Sequence, residues 1–210
     1  MKVLSLLAHP RSTSFCHAIS ARACAALRAA GHEVVHHDLY EDGFEPRLMA
    51  DEAYSIGDSV EQALARSTDP LLRQYRKTVA EAEGLLIVHP NWWGKPPAIL
   101  SGWLDRVLVP GVAYRLERAE GRPEGLLVAR RALIFNTSDT PEERERDEFG
   151  DPLELIWGRC VLPFCGVERY RRIVFRPVVD SAPAQRAQWL ESVETAVEAA
   201  FAGKPGEAWD

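Results

Sequence analysis

His89-Pro90-Asn91-Trp92-Trp93-Gly94-Lys95-Pro96-Pro97-Ala98-Ile99-Leu100-Ser101-Gly102-Trp103-Leu104-Asp105 reads as a strand end, a stiff loop and a helix start in one continuous stretch. The apolar run over 85–88 ahead of it suits a strand buried on both faces. Over 98–108, Ile99, Leu100, Trp103, Leu104, Val107 and Leu108 recur at helical spacing, with Asp105 and Arg106 expected on the opposite, solvated face. Between strand and helix lie adjacent tryptophans, a glycine and two prolines. Ligands bind at this edge of open α/β sheets, so Trp92 and Trp93 are candidates for stacking on a flat, electron-poor ring. At least one of the pair is expected to pack into the core instead.

The alternation of strand and helix continues on either side. The apolar run over 2–8 predicts a central parallel strand. His9-Pro10-Arg11-Ser12-Thr13-Ser14 follows, with Ser12, Thr13 or Ser14 as N-cap of a helix that places Phe15, Ile19, Ala23, Ala26 and Leu27 on one face and ends at Gly31. A second strand over 33–40 precedes a long loop over 42–57. Helical patterns over 60–66 and 71–82 lead to a third strand over 84–89. Residues 112–125 read as an irregular, charged excursion. A fourth strand covers 132–136, and the almost wholly charged 142–148 is expected to be solvated. A helix over 153–161, a fifth strand over 171–175 and a helix over 184–201 complete the pattern. Residues 204–210 read as a frayed tail, leaving 1–203 as a single domain. Crossovers of this length require parallel pairing. The expected class is α/β: three αβα layers around a five-stranded parallel sheet of order 2-1-3-4-5, switching direction between strands one and three.

The chain has 210 residues and a formal net charge of −6, which argues against nucleic acid as the main partner. Cys16, Cys24, Cys160 and Cys165 show neither C-x-x-C nor zinc-site spacing, so no metal is expected. Scattered thiols, and a first strand where a secretory signal would sit, point to the cytoplasm. No apolar run reaches the ~20 residues that span a bilayer, so no membrane insertion is expected.

Three loops converge at the carboxyl edge of the sheet. The first joins His9, Arg11 and Ser14 to a helix N-terminus, which is either a phosphate site or a well-capped helix. Neither G-x-G-x-x-G nor G-x-x-x-x-G-K-[ST] occurs, which argues against a tightly held Rossmann dinucleotide or a P-loop nucleotide. The second loop is the tryptophan pair. The third, Asn136-Thr137-Ser138, offers donors that can face the edge of a flavin, or it is a capped turn. Cys16 reads as a small packed residue beside the site, and Cys160 and Cys165 as packing. His17, His32, His36 and His37 read as surface or internally satisfied, and the basic run over 169–172 as a solvated strand edge.

Taken together, these loops resemble the flavodoxin-like NAD(P)H:quinone reductase family. The resemblance lies in Ala8-His9-Pro10-Arg11-Ser12-Thr13-Ser14-Phe15 and in the segment from Pro90 to Val107, where the family has a Pro-x-x-Trp turn and a Pro-Ala-x-Leu-Lys-Gly-Trp helix. Phe164-Cys165-Gly166-Val167 also matches the family's segment before its last strand. It implies a flavodoxin-like fold and hydride transfer from NAD(P)H through bound FMN, or alternatively FAD, to a quinone-like acceptor. It would place His9, Phe15 and Cys16 at the flavin phosphate and ribityl chain. Pro90, Asn91, Trp92, Trp93 and Gly94 would lie along the isoalloxazine, and Asn136, Thr137 and Ser138 at its pyrimidine edge. Tyr114, with Trp93, would line the substrate pocket, Tyr114 reaching across a homodimer. The chain departs from the family in three places: Asn136-Thr137-Ser138-Asp139 replaces Thr-Thr-Gly-Gly, Phe149 stands where a histidine is expected, and Leu116 replaces a second pocket tyrosine. The alternative implied by those departures is a flavin-binding regulatory or ancillary subunit with little turnover. An electron-carrier flavodoxin is the least favoured reading, because its Ser/Thr-x-Thr-Gly-x-Thr loop is absent.

Overall fold

The computed structural model of the chain describes residues 1–53, 59–116 and 120–203. Its strands are β1 (Lys2–Leu7), β2 (Glu33–Asp38), β3 (Gly84–Pro90), β4 (Tyr114–Arg115), β5 (Glu124–Gly125), β6 (Arg131–Thr137) and β7 (Arg169–Phe175). Its helices are α1 (Phe15–Ala29), α2 (Val60–Arg66), α3 (Pro70–Glu81), α4 (Ala98–Val107), α5 (Glu142–Asp147), α6 (Pro152–Glu154), α7 (Leu162–Phe164) and α8 (Pro183–Phe201), with a π-helical segment, Leu155–Val161, between α6 and α7.

Five strands form one parallel sheet in the order β2-β1-β3-β6-β7. This is the expected 2-1-3-4-5 order, and the switch falls between β1 and β3. Alternation along β1 divides the core into two layers. Leu4, Leu6 and Ala8 face Tyr75, Val79, Trp103 and Trp157 from α3, α4 and the π-helical segment. Val3 and Leu7 face Ile19, Ala23, Leu27, Val193 and Val197 from α1 and α8. A sheet covered on both faces needs apolar residues at nearly every position, and β3 and β6 are buried along their whole length.

The structure corrects four expectations. Arg106 is buried: its guanidinium meets Glu52 at 2.6 Å and Asp69 at 3.5 Å, while Arg76 donates to the Arg106 carbonyl at 2.8 and 3.0 Å. The chain segment around Pro46 crosses α4 at Gly102, where a Cβ would overlap the Pro46 backbone, so the polar flank of α4 is covered and a paired charge can be tolerated there. The charged run over 142–148 is helix α5 rather than a wholly solvated stretch, and Glu145 is only 2% exposed. The basic run on β7 is not merely a solvated edge, because Arg172 turns inward to Asp151 and Glu154. Cys160 is exposed rather than packed. The irregular excursion also contains the short antiparallel pair β4–β5.

Parts of the 42–57 loop, of the 112–125 excursion and the whole 204–210 tail lie outside the described residues.

Candidate functional site

The loops after β1, β3 and β6 meet at the carboxyl edge of the sheet, over the switch point. The β1–α1 loop ends at Ser14, the N-cap of α1, whose Oγ accepts the His17 N–H. The first-turn N–H groups of a helix have no intrahelical acceptor and carry its positive dipole end. Ser12 and Thr13 stand exposed just ahead of them. His9 Nδ1 accepts from the Arg11 N–H at 3.1 Å, which assigns the ring hydrogen to Nε2. Burial, ahead of the neighbouring charges, lowers the His9 pKa, so the ring is neutral at pH 7.

The β3–α4 loop is a tight hairpin turn. Trp92 and Lys95 exchange backbone hydrogen bonds at 3.3 and 3.2 Å, and Trp93 and Gly94 sit between them at φ 58° and 69°. Positive φ at both central positions is the type I′ arrangement, which favours Asn-Gly or Gly-Gly. A tryptophan in the left-handed region carries a strain of ~1–2 kcal/mol, and its side chain is 97% exposed. Trp92 is also exposed, at 38%, with its ring centroid 5.9 Å from that of His9. The expectation that one of the pair packs into the core does not hold; Trp103 and Trp157 fill that role. The turn is braced from below. The Asn91 N–H donates to the Thr137 carbonyl at 2.7 Å, Asn91 Oδ1 accepts from the Gly94 N–H at 2.9 Å, and Asn91 Nδ2 donates to Glu145 at 3.1 Å. Pro152 lies where a Gly94 side chain would begin.

The β6 end differs from a row of free donors. Asn136 is fully buried and turned from the cleft: Nδ2 donates to His89 Nε2 at 3.0 Å, and Oδ1 accepts from Arg172. The Ser138 N–H is used by the Phe175 carbonyl. Thr137 Oγ1 meets Cys16 Sγ at 3.3 Å, and burial pushes that thiol up to about 11, so Cys16 is a neutral wall rather than a nucleophile. Asp139 accepts from the Val179 N–H at 2.8 Å. Phe15 leans on Phe175 and Trp189, both at 5.9 Å.

The structure thus brings His9, Cys16, Asn91, Trp92 and Thr137 together. Tyr114 stands apart, packed against Phe164 at 4.7 Å and lining a ≈ 580 Å³ groove with Leu48, Val60, Leu104 and Leu116. Sequence reading missed four contributors. His89 is buried at the strand end, donating from Nδ1 to the Pro90 carbonyl and accepting at Nε2 from Asn136 and Trp157. Glu145 was hidden in a charged run, and Arg172 in a basic one. Asp38, at the carboxyl end of β2, bonds His17 at 2.9 Å; its position at a strand end was the available signal.

A doubly wound sheet with an aromatic, hydroxyl-lined cleft at its switch point defines the flavodoxin class of α/β proteins. Residues 1–197 match the family described as having a flavodoxin-like fold, and the chain belongs to that family. It is 27% identical to NAD(P)H dehydrogenase [quinone] 1 of Rattus norvegicus over 97% of this chain and 79% of the relative. It is 30% identical to ribosyldihydronicotinamide dehydrogenase [quinone] of the same species over 92% of this chain and 91% of the relative. The FMN-dependent NADH-azoreductase of Bacillus anthracis, solved with FMN, shares the fold at a TM-score of 0.71 and 16% identity, over 94% of this chain and 97% of that one.

Proposed function

We propose that the chain is a flavin-dependent oxidoreductase that takes reducing equivalents from NAD(P)H and delivers them to a quinone-like acceptor. The observation that carries this reading is the Trp92–Trp93 turn: a tryptophan held in strained left-handed backbone, almost wholly exposed, at the mouth of the switch-point cleft. Strain of this kind persists where the surroundings enforce it and clusters at functional sites. The family relationship supports it, since the relatives are quinone dehydrogenases and the fold neighbour is an FMN enzyme.

The residues present fit FMN. Hydroxyls and a helix N-terminus suit its phosphate, neutral His9 suits the ribityl chain, and Trp92 suits its ring system. The flavin, when bound, accepts hydride from NAD(P)H and passes it on. The protein's own part is placement. Ser12, Thr13 and Ser14 with Arg11 hold the phosphate. His9, Phe15, Cys16 and Thr137 enclose the ribityl chain. Pro90, Asn91, Trp92, Trp93 and Gly94 form one side of the ring slot, and Ser138 stands at the opposite edge. His9 supplies an Nε2–H donor without charge. Reacting atoms must approach within about 3–3.5 Å, and Asn91, tied to Glu145 and Gly94, fixes the slot that allows this. Residues 1–203 serve as one working unit in the cytoplasm, where NAD(P)H is available, and act as a homodimer in which Tyr114 lines the partner's pocket.

A second reading is favoured by the β6 end, where the Ser138 N–H is already used and Asn136 faces inward. Those features leave fewer donors for a reduced flavin, as in a flavin-binding subunit with little turnover. Mixing the purified chain with FMN and adding NADH or NADPH without oxygen separates the possibilities. A bound yellow chromophore that bleaches, then recovers with a quinone, is the expected result. Binding with no bleaching favours the regulatory subunit. A protein that stays colourless with both FMN and FAD defeats both readings.

A further inference from the structure

Among the described residues only two non-glycine positions hold positive φ, Trp93 at 58° and Asp151 at 45°. Each is paired with a glycine in the same region, Gly94 at 69° and Gly150 at 71°. The two turns touch through Pro152, which follows Asp151: a Cβ added to Gly94 would lie 3.0 Å from its Cγ. Left-handed backbone is disfavoured for residues with side chains and persists where the surroundings enforce it. For the second turn those surroundings are α5 and β7. The Asp151 N–H donates to the Glu145 carbonyl at 2.9 Å, and the Phe149 N–H to the Arg144 carbonyl at 3.3 Å. The buried Arg172 guanidinium donates to Asp151 Oδ2, to Glu154 Oε2 at 3.0 Å and to Asn136 Oδ1 at 3.3 Å. Asn136 carries the line on to His89, whose Nδ1 donates to the Pro90 carbonyl at 2.8 Å. One buried arginine thus links the start of the tryptophan turn to the Phe149-Gly150-Asp151 turn. Phe149 and Leu155, on either side of that second turn in the chain, are exposed apolar side chains, as is Trp93 on the first.

We propose that the Phe149 turn is the acceptor-selecting wall of the cleft, favouring planar apolar acceptors, and that Arg172 is the positioning residue that holds it. The inference rests on the flavin reading above and deepens it by naming what selects the acceptor. A buried charge is tolerated only when paired, so Arg172 fixes the carboxylates of Asp151 and Glu154 wherever it sits. An exposed phenylalanine contributes little burial to the fold, so this bracing stabilises a surface rather than a core. Trp93 and Phe149 stand on different turns, and an acceptor that touches both needs those turns held at a fixed separation. The line from Pro90 through His89, Asn136 and Arg172 to Asp151 sets it. A planar aromatic acceptor gains from such apolar faces, whereas a small hydrophilic anion does not.

The experiment uses the whole chain loaded with FMN, with NADH or NADPH as donor and two acceptors, menadione (planar and apolar) and ferricyanide (small and anionic). Steady-state kinetics gives the ratio of kcat/KM for menadione to that for ferricyanide. Quenching of tryptophan fluorescence gives the menadione Kd with no donor present. Phe149→Ala should raise that Kd and lower the ratio, each about fivefold, the value of one aromatic contact. Arg172→Gln should do the same through the turn, with the loss in KM rather than in kcat. Asp151→Asn tests the same link where Arg172→Gln does not fold. Asparagine tolerates left-handed backbone and keeps the oxygen that accepts from the Glu154 N–H, but it removes the charge. Either variant combined with Phe149→Ala should lose no more than Phe149→Ala alone. An unchanged ratio and Kd in Phe149→Ala overturns the wall. An effect of Asp151→Asn that is absent, that adds in full to Phe149→Ala, or that falls equally on both acceptors overturns the role of Arg172. Each of these results leaves the flavin reading intact, whereas a wild type that reduces neither acceptor overturns that reading and the wall with it.

Discussion

Trp93 shows most directly how a single residue trades stability for function. Its backbone occupies the first central position of a type I′ turn, the position where asparagine is favoured before glycine. Trp93→Asn creates an Asn-Gly turn in place and relieves a strain of ~1–2 kcal/mol. The expected outcome is a Tm higher by roughly 2–4 °C for a chain of this size. Loss of the ring should weaken FMN binding about fivefold, the value of one aromatic contact. A calorimetric scan and a flavin titration on the same variant check both halves. His89 makes the opposite kind of prediction. Burial, ahead of its other contacts, pushes its pKa down to about 4 from the ordinary 6.5. The unfolded chain therefore takes up the proton first. The stability held by neutral His89 is complete above pH 6.5 and is lost as pH falls toward 4, by about 3 kcal/mol in total. In His89→Gln, whose amide oxygen can still accept from Asn136 and Trp157, denaturation midpoints should fall less steeply over that interval. An unchanged slope would remove His89 from the account.

At the scale of the element, α4 is anchored twice. Its apolar stripe faces the sheet, and its polar flank is covered by the segment carrying Phe44 and Glu52. Arg106 joins the two through the Glu52 carboxylate, with both side chains almost fully buried, and the Arg106 guanidinium also stacks over Phe44 at 5.5 Å. Removing one partner of a buried pair leaves an uncompensated charge, which costs about 3–5 kcal/mol, whereas replacing both with apolar groups costs far less. Arg106→Met should therefore unfold at markedly lower denaturant, and the double variant Arg106→Met with Glu52→Met should recover most of the loss. If the two behave alike, the pair is not the link. α5 is braced differently. It has no capping side chain and is charged throughout, yet the Glu145–Asn91 bond ties it under the tryptophan turn. Its place is set by the site rather than by core packing.

For the whole molecule, a second group of exposed apolar side chains lies away from the cleft. Leu48, Val60 and Leu116 line one groove with Tyr114. If this face meets a second copy, light scattering should report twice the 23.5 kDa chain mass. Tyr114→Ala should then raise KM for the acceptor several-fold while leaving the FMN affinity unchanged. A monomer at working concentration with full turnover would refute the shared pocket.

The residues of this chain determined by themselves what depends on periodicity and local chemistry. Near-continuous apolar runs at 85–88 and 132–135 could only be strands covered on both faces. The hydroxyl run Ser12-Thr13-Ser14 announced the start of α1, and the crossover lengths required parallel pairing, consistent with the 2-1-3-4-5 order. Those signals are local in sequence, since burial pattern and capping repeat within a few residues. What only the tertiary structure decided is the direction of polar side chains whose partners are remote in sequence. Arg106 lies on the flank that spacing assigns to solvent, yet Glu52, fifty-four residues away, covers it. Glu145 sits in a run that charge alone would solvate, yet Asn91 reaches it. Asn136 belongs to a loop that suggested ligand contacts, yet His89 and Arg172 draw its amide inward. A buried charge or amide takes whatever partner the fold brings within hydrogen-bond reach, and that pairing is fixed by the packing of distant segments rather than by neighbours in the chain.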